Sequence, residues 1–169
     1  MTWEVAVISK REAAARQLDQ AIRLFFRRGD MLSVHTLAGA AFQLLADLGK
    51  VSGIVSRYRS EVLIRPERMK EWVQALNSTQ NFLKHADRDA DSSHRYVEEG
   101  TILFLYEVVE LAGRVLAQDS RERLAFRIWF VMSFPELIQP QLLEALRAAN
   151  KVGLDQTDRS VWADWLGAA

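Results

Sequence analysis

Residues 10–48 read KREAAARQLDQAIRLFFRRGDMLSVHTLAGAAFQLLADL, and their apolar spacing decides the fold. Ala14, Leu18, Ala21, Ile22 and Phe25 recur at steps of three and four, which puts them on one face of a helix over 10–28. Gly29-Asp30 interrupts the pattern. Glycine ends helices, and the Asp30 carboxylate can accept from amides freed at the start of the next one. From Met31 to Leu48 a second stripe follows, made of Val34, Leu37, Ala38, Ala41, Leu44, Leu45 and Leu48. Its small run, Ala38-Gly39-Ala40-Ala41, lets another helix approach closely. Two helices joined at so short a corner form an antiparallel hairpin.

Working outward, 49–65 reads as an irregular connection or a short helix, with no strand-like run elsewhere to pair with it. Pro66 opens a third helix with the stripe Met69, Trp72, Val73, Leu76 and Leu83, running to Ala86. After a polar segment, 87–95, a fourth helix spans 96–117. Ile102, Leu103, Phe104, Leu105, Val108, Val109 and Leu111 cover most of its circumference, so it is central. Ser120 caps a fifth helix over 121–134, which Pro135 ends. Pro140 opens a sixth over 141–150, and Trp162, Trp165 and Leu166 share one side of a short docking helix in 158–166. The expectation is an all-α single domain over 1–169, a bundle of five to seven helices.

Composition narrows the function. With 169 residues, 49% apolar, 3 Pro and 8 Gly, the chain has enough apolar side chains for one core. Lys plus Arg 22 against Asp plus Glu 22 gives a formal charge of +0, so no overall field draws it to nucleic acid or an anionic membrane. Zero cysteines exclude disulfides, a Cys nucleophile and thiolate metal sites. Met1–Lys10 lacks the pattern of a signal peptide, and the apolar runs 102–106 and 128–132 are too short to span a bilayer. A cytoplasmic protein without a membrane role is expected. No phosphate-binding glycine loop, His-Glu-x-x-His pair or Gly-x-Ser-x-Gly elbow occurs. Glu107 and Glu110 lack a Glu-x-x-His repeat, so no di-iron site is indicated, and Glu110 with Arg114 reads as an i, i+4 ion pair. Arg121, Arg123 and Arg127 read as the solvent side of the fifth helix, within reach of RNA.

Two local patterns remain. Gln80-Asn81-Phe82-Leu83-Lys84-His85 stacks Asn81 and His85 on one helical face, shared with Gln74 and Ser78 and roughly opposite the apolar stripe. That face meets water, a groove or a second chain. Here the sequence resembles the HEPN superfamily, helical bundles whose nuclease members carry Arg-Asn-x-x-x-His on a helix at a dimer interface. Gln80, Asn81 and His85 occupy the three places, and the hairpin with Arg28-Gly29-Asp30 and the Ala-rich second helix is similar to the opening of such domains. The string 81–89, NFLKHADRD, also resembles a segment of small uncharacterised bacterial proteins. The resemblance implies a homo-oligomer in a bacterial defence or toxin–antitoxin setting, with RNA or a protein as partner. It also implies metal-free phosphoester cleavage in active members. Neutral Gln80 cannot supply the cation that such a transition state needs. The reading is therefore a non-catalytic binding or scaffold protein with a degenerate site, in which Gln80, Arg88 and Arg95 serve binding. The alternative is a ribonuclease with His85 as acid/base, Asn81 orienting it, and Lys84 or an arginine as the cation.

Second, Asp87, Asp89, Asp91 and Glu98 fall at positions 1, 3, 5 and 12 of a loop between helices, the oxygen-ligand spacing of a calcium loop. Ser92 stands where that turn needs Gly, and His94 where an apolar residue belongs, so a solvated linker is the preferred reading and no cofactor is expected. A transition-metal site shared by His85, Asp87 and His94 ranks lower still. His35, beside Phe42 at the edge of the second stripe, reads as a core-edge residue bonded to a backbone carbonyl.

Overall fold

The computed structural model describes residues 3, 5–56, 69–85, 87, 90–135, 144–145, 147–148 and 155–167. Among them the chain is all-helical: α1 Lys10–Phe26, α2 Met31–Val51, α3 Met69–Lys84, α4 Glu98–Val115, α5 Arg121–Ser133 and α6 Arg159–Gly167. Most of the expected helix at 141–150 and the connection at 57–68 lie outside the described residues, as do the side chains of Met69, Trp72, Val73 and Leu76. The other expected helices are present, each within three residues of its expected ends.

Each start has a chemical reason. Ser9, Asp30 and Ser120 accept from the amides of Glu12, Ser33 and Arg123, which satisfies donors that the first helical turn leaves open. The end of α1 differs from expectation in its agent. The left-handed residue is Arg28, at φ 54°, not Gly29. The Gly29 amide reaches back to the Leu24 carbonyl at 2.8 Å and the Arg28 amide to Phe25 at 3.1 Å, a six-to-one and five-to-two closure. Space at Gly29 is tight, since a Cβ there would lie 3.2 Å from the Leu24 carbonyl oxygen.

The α1–α2 hairpin forms as read, and α2 packs its other side on α4. Ala14, Leu18, Ala21, Ile22 and Phe25 are fully buried, as are Val34, Ala38, Ala41 and Leu45 opposite them. By length and composition α2 could cross a membrane, with a mean hydropathy of 1.3, which the shorter apolar runs do not suggest. In the fold it packs against α1 and α4, with 44% of its 18-residue apolar window buried. An aromatic cluster closes the end of the bundle nearest α5 and α6. Phe25 meets Phe126 at 5.2 Å and Trp129 at 4.6 Å edge-on, and Phe26 stacks on Trp162. The Arg159 guanidinium lies 3.9 Å over Phe25, and the Trp129 and Trp162 indoles donate to the Thr157 and Gln156 carbonyls. Through these contacts α6 docks, as its tryptophans suggest.

The basic residues of α5 are not a solvent face. Arg123 is 4% exposed and pairs with Asp19 of α1 at 3.1 Å, while donating to the Gln118 carbonyl. Arg127 bonds Glu110 at 2.8 Å and also Asp119. The Glu110 carboxylate thus serves α5, and Arg114 turns to the Glu110 and Val55 carbonyls instead of forming the expected i, i+4 pair. Arg121 is the exposed member, stacked 4.2 Å over Trp165. The error has a simple origin: α5 is enclosed between α1, α4 and α6, so its polar positions face acidic partners on those helices.

Burial pushes the Asp19 carboxyl above its ordinary pKa, opposed by the Ser120 hydroxyl and by Arg123. Removing the guanidinium leaves that carboxyl half-enclosed and without its cation. Arg123→Met is expected to lower unfolding free energy by about 3 kcal/mol in urea denaturation, whereas Arg121→Met changes it by less than about 1 kcal/mol.

Candidate functional site

The site begins with a missing side chain. Gly39 leaves a notch on α2, and the carboxamide of Gln80, from α3, fills it: a Cβ on Gly39 would fall 1.5 Å from the Gln80 Nε2. Gln80 is 8% exposed and donates from Nε2 to the His35 carbonyl at 3.0 Å. The residue in the cation's place of the Arg-Asn-x-x-x-His pattern is therefore a buried strut between two helices.

One turn before Gly39 on α2, His35 is 4% exposed. Its ring stacks on Phe104 of α4 with centroids 4.9 Å apart, and Nδ1 lies 3.0 Å from the Thr101 hydroxyl. The same hydroxyl lies 2.8 Å from the Tyr96 phenol. The other ring nitrogen, Nε2, is buried without a hydrogen-bond partner. Burial, with His94 and Lys84 nearby, lowers the His35 pKa to about 4, so the ring is neutral at physiological pH. The expected carbonyl bond is thus replaced by a hydroxyl on the facing helix, because α4 and not the chain's own turn covers this edge.

Two cavities meet at His94 and Ser78. The inner one, about 310 Å³, lies between His35, Thr79, Val97, Gly100 and Phe104. The outer one, about 430 Å³, is bounded by Asn81, Phe82, His85, Ser92 and Ser93. His94 is the shared wall, held by the Thr79 hydroxyl at 2.9 Å and stacked on Phe82 at 5.2 Å. All three histidines of the chain thus converge on one double cavity.

Asn81 and His85 are exposed on one face, as their spacing requires, and share the outer cavity, with His85 Nδ1 at 3.8 Å from an Asp87 carboxylate oxygen. Lys84 is also exposed, about 100° round the helix from His85 and close enough to His35 to disfavour its charge. Arg95 borders the inner cavity, and Arg88 lies outside the described residues. Of the four carboxylates with calcium spacing, Asp87, Asp91 and Glu98 are among the described residues. Glu98 borders a separate cleft with Arg28, Asp158 and Arg159, and Asp89 lies outside the described residues. Among the described residues no group of three or more His, Asp or Glu is arranged to hold a metal ion.

Sequence reasoning weighed His94 only within the calcium-loop and transition-metal patterns, and passed over Tyr96 and Thr101. Thr101 carried a usable signal, a hydroxyl opening a densely apolar stretch, where a buried polar group needs a hydrogen-bond partner. Comparison of the chain with family models, curated proteins and solved structures returns no match.

Two expectations follow. Gly39→Ala drives a methyl into the Gln80 amide and is expected to cost about 1–3 kcal/mol. Combined with Gln80→Ala the loss should be clearly less than additive, as a double-mutant cycle by urea denaturation would read. The second concerns pH. The unfolded His35 imidazole takes a proton below about 6.5, while the folded one stays neutral until about 4. Stability present above 6.5 is therefore lost as pH falls toward 4, by at most about 3 kcal/mol. Denaturation from pH 7 to 4.5 should show this slope in the wild type and its reduction in His35→Gln.

Proposed function

We propose that the chain is a non-catalytic binding protein on a HEPN-like bundle, with the histidine double cavity as its binding site. One observation carries this reading: the side chain in the catalytic cation's place, Gln80, is seated in the Gly39 notch and bonded to the His35 carbonyl. It does not share a cavity with Asn81 and His85. Among the described residues, no Lys or Arg borders the outer cavity where those two lie. Charge developing on a phosphoryl group there would meet no fixed cation among the described residues, and that stabilisation is usually the largest single contribution to such a reaction. What the cavity does offer is recognition chemistry: an amide, two imidazoles, three serines and the partly exposed ring of Phe82. Asn81, Phe82 and His85 also form the outward face through which a partner, a second copy included, would dock.

The test is RNA cleavage by purified protein in the presence of a chelator. No cleavage is expected from the wild type. Gln80→Arg is expected to stay inactive and to lower the melting temperature, because the guanidinium must enter a notch shaped for a carboxamide. Wild-type cleavage abolished by His85→Ala would overturn this reading in favour of the HEPN-type ribonuclease.

A further inference from the structure

A further cleft, of about 440 Å³, lies where α1 and α6 end and α5 begins. It shares no residue with the histidine cavities. Arg23 and Arg27, one turn apart at the end of α1, border it together with Arg121 of α5, and Glu122 is the one carboxylate among its lining residues. Arg23, Arg27 and Arg121 are all exposed, so a solute reaches them.

Internal contacts account for part of this basic character. Arg23 donates from Nε and Nη2 to Glu122 Oε1 at 2.8 and 2.5 Å. Arg121 donates to the Trp165 carbonyl at 2.9 Å and stacks 4.2 Å over the same indole. Those bonds hold two guanidiniums in place without using all five N–H donors of either. Among the described residues the Arg27 side chain has no hydrogen bond or ion pair.

Charge decides what the cleft prefers. Three guanidiniums against one carboxylate leave an excess of two positive charges. The carbonyl ends of α1 and α6 carry roughly −0.5 each and the amide end of α5 roughly +0.5, so about 1.5 positive charges remain. The cleft beside the start of α6 differs, since Arg28 and Arg159 there meet Asp30, Glu98 and Asp158. In a chain of formal charge +0, such an excess in one concavity is a local field that concentrates anions. Arg23 and Arg27, like charges at i, i+4, also repel each other, and an anion between them relieves that repulsion.

The donors narrow the anion further. A guanidinium fork matches two oxygens of a phosphate group. An excess of nearly two charges suits a dianion, which a phosphate monoester is above its second pKa of about 6. A diester carries a single charge. Ala163 and Leu166, both half-buried, give the cleft an apolar wall for an organic substituent.

We infer that the cleft between α1, α5 and α6 binds a phosphate dianion, free or as a monoester, whose oxygens accept from Arg23, Arg27 and Arg121. This site is independent of the histidine double cavity and stands or falls apart from it.

The experiment is calorimetric titration of the full chain at pH 8 with inorganic phosphate, phenyl phosphate and dimethyl phosphate. Sodium chloride at about 0.1 M sets the screening length near 10 Å. At least one of the two dianions is expected to bind one-to-one with Kd below about 1 mM, and the singly charged diester roughly tenfold or more weakly. Arg27→Gln should weaken the dianion by about tenfold or more, the loss of one hydrogen bond to a charged group, at an unchanged melting temperature. Arg16→Gln removes the same charge from α1 roughly 16 Å away along the helix and should leave Kd within about twofold. Equal affinity for the two dianions supports a site for free phosphate. A tenfold preference for phenyl phosphate supports a site for an ester, its ring on Ala163 and Leu166. No saturable binding of either dianion, equal binding of dimethyl phosphate, or an Arg27→Gln loss no larger than that of Arg16→Gln would each overturn the inference.

Discussion

The seating of Gln80 over Gly39 is the constraint on which the site depends. A helix packs closely on another only where one of them lacks a side chain, and on α2 that place is Gly39. Filling the notch with a carboxamide bonded to the His35 carbonyl sets both the depth and the rotation of α3. With Gln80 turned inward, Asn81 and His85 must turn outward, since positions one and five further along a helix lie about 100° and 140° away from it. The cavities on either side of His94 are what remains between a helix held in this rotation and the loop that leads on to α4. Phe82 and Thr79 then hold the shared imidazole from α3 itself.

The hairpin and the caps were legible because they depend on nearest neighbours in sequence. Leu18, Ile22 and Phe25 declare a buried stripe by spacing alone, and Asp30 and Ser120 cap helices whose first amides lie three residues on. The polar links were not legible in the same way. Arg123 and Asp19 are separated by 104 residues, and His35 and Thr101 by 66. Helical periodicity says which face a residue occupies but not what stands opposite. Arg123 and Arg127 look like a solvated basic face until α1 and α4 bring Asp19 and Glu110 to them. Gln80 shows the same limit from the other side. Its place in a short motif suggested a functional role, while its partner, a glycine 41 positions earlier, carries no signal except smallness.

Charge balance takes on a different meaning once the pairs are located. A formal charge of +0 suggests an evenly mixed surface. The structure spends several of these charges internally, with Arg23 on Glu122, Arg123 on Asp19 and Arg127 on Glu110 joining α1, α4 and α5. Those pairs tie the hairpin to the rest of the bundle and draw arginines away from any nucleic-acid surface on α5. Outside those pairs, Arg95 borders the inner cavity and Lys84 lies near enough to His35 to disfavour its charge, while Asp87 lies 3.8 Å from His85 at the outer one.

His35 is hard to account for by stability. Its neutral ring lies among apolar neighbours and stacks on Phe104, a position that a phenyl group would fill with no polar atom to satisfy. As it stands, one nitrogen is bonded to Thr101 and the other has no partner, which costs about 1–3 kcal/mol in the unliganded fold. The side chain also makes the fold less stable in acid, because the folded ring resists the proton that the unfolded ring accepts. Packing and pH tolerance both favour an apolar replacement.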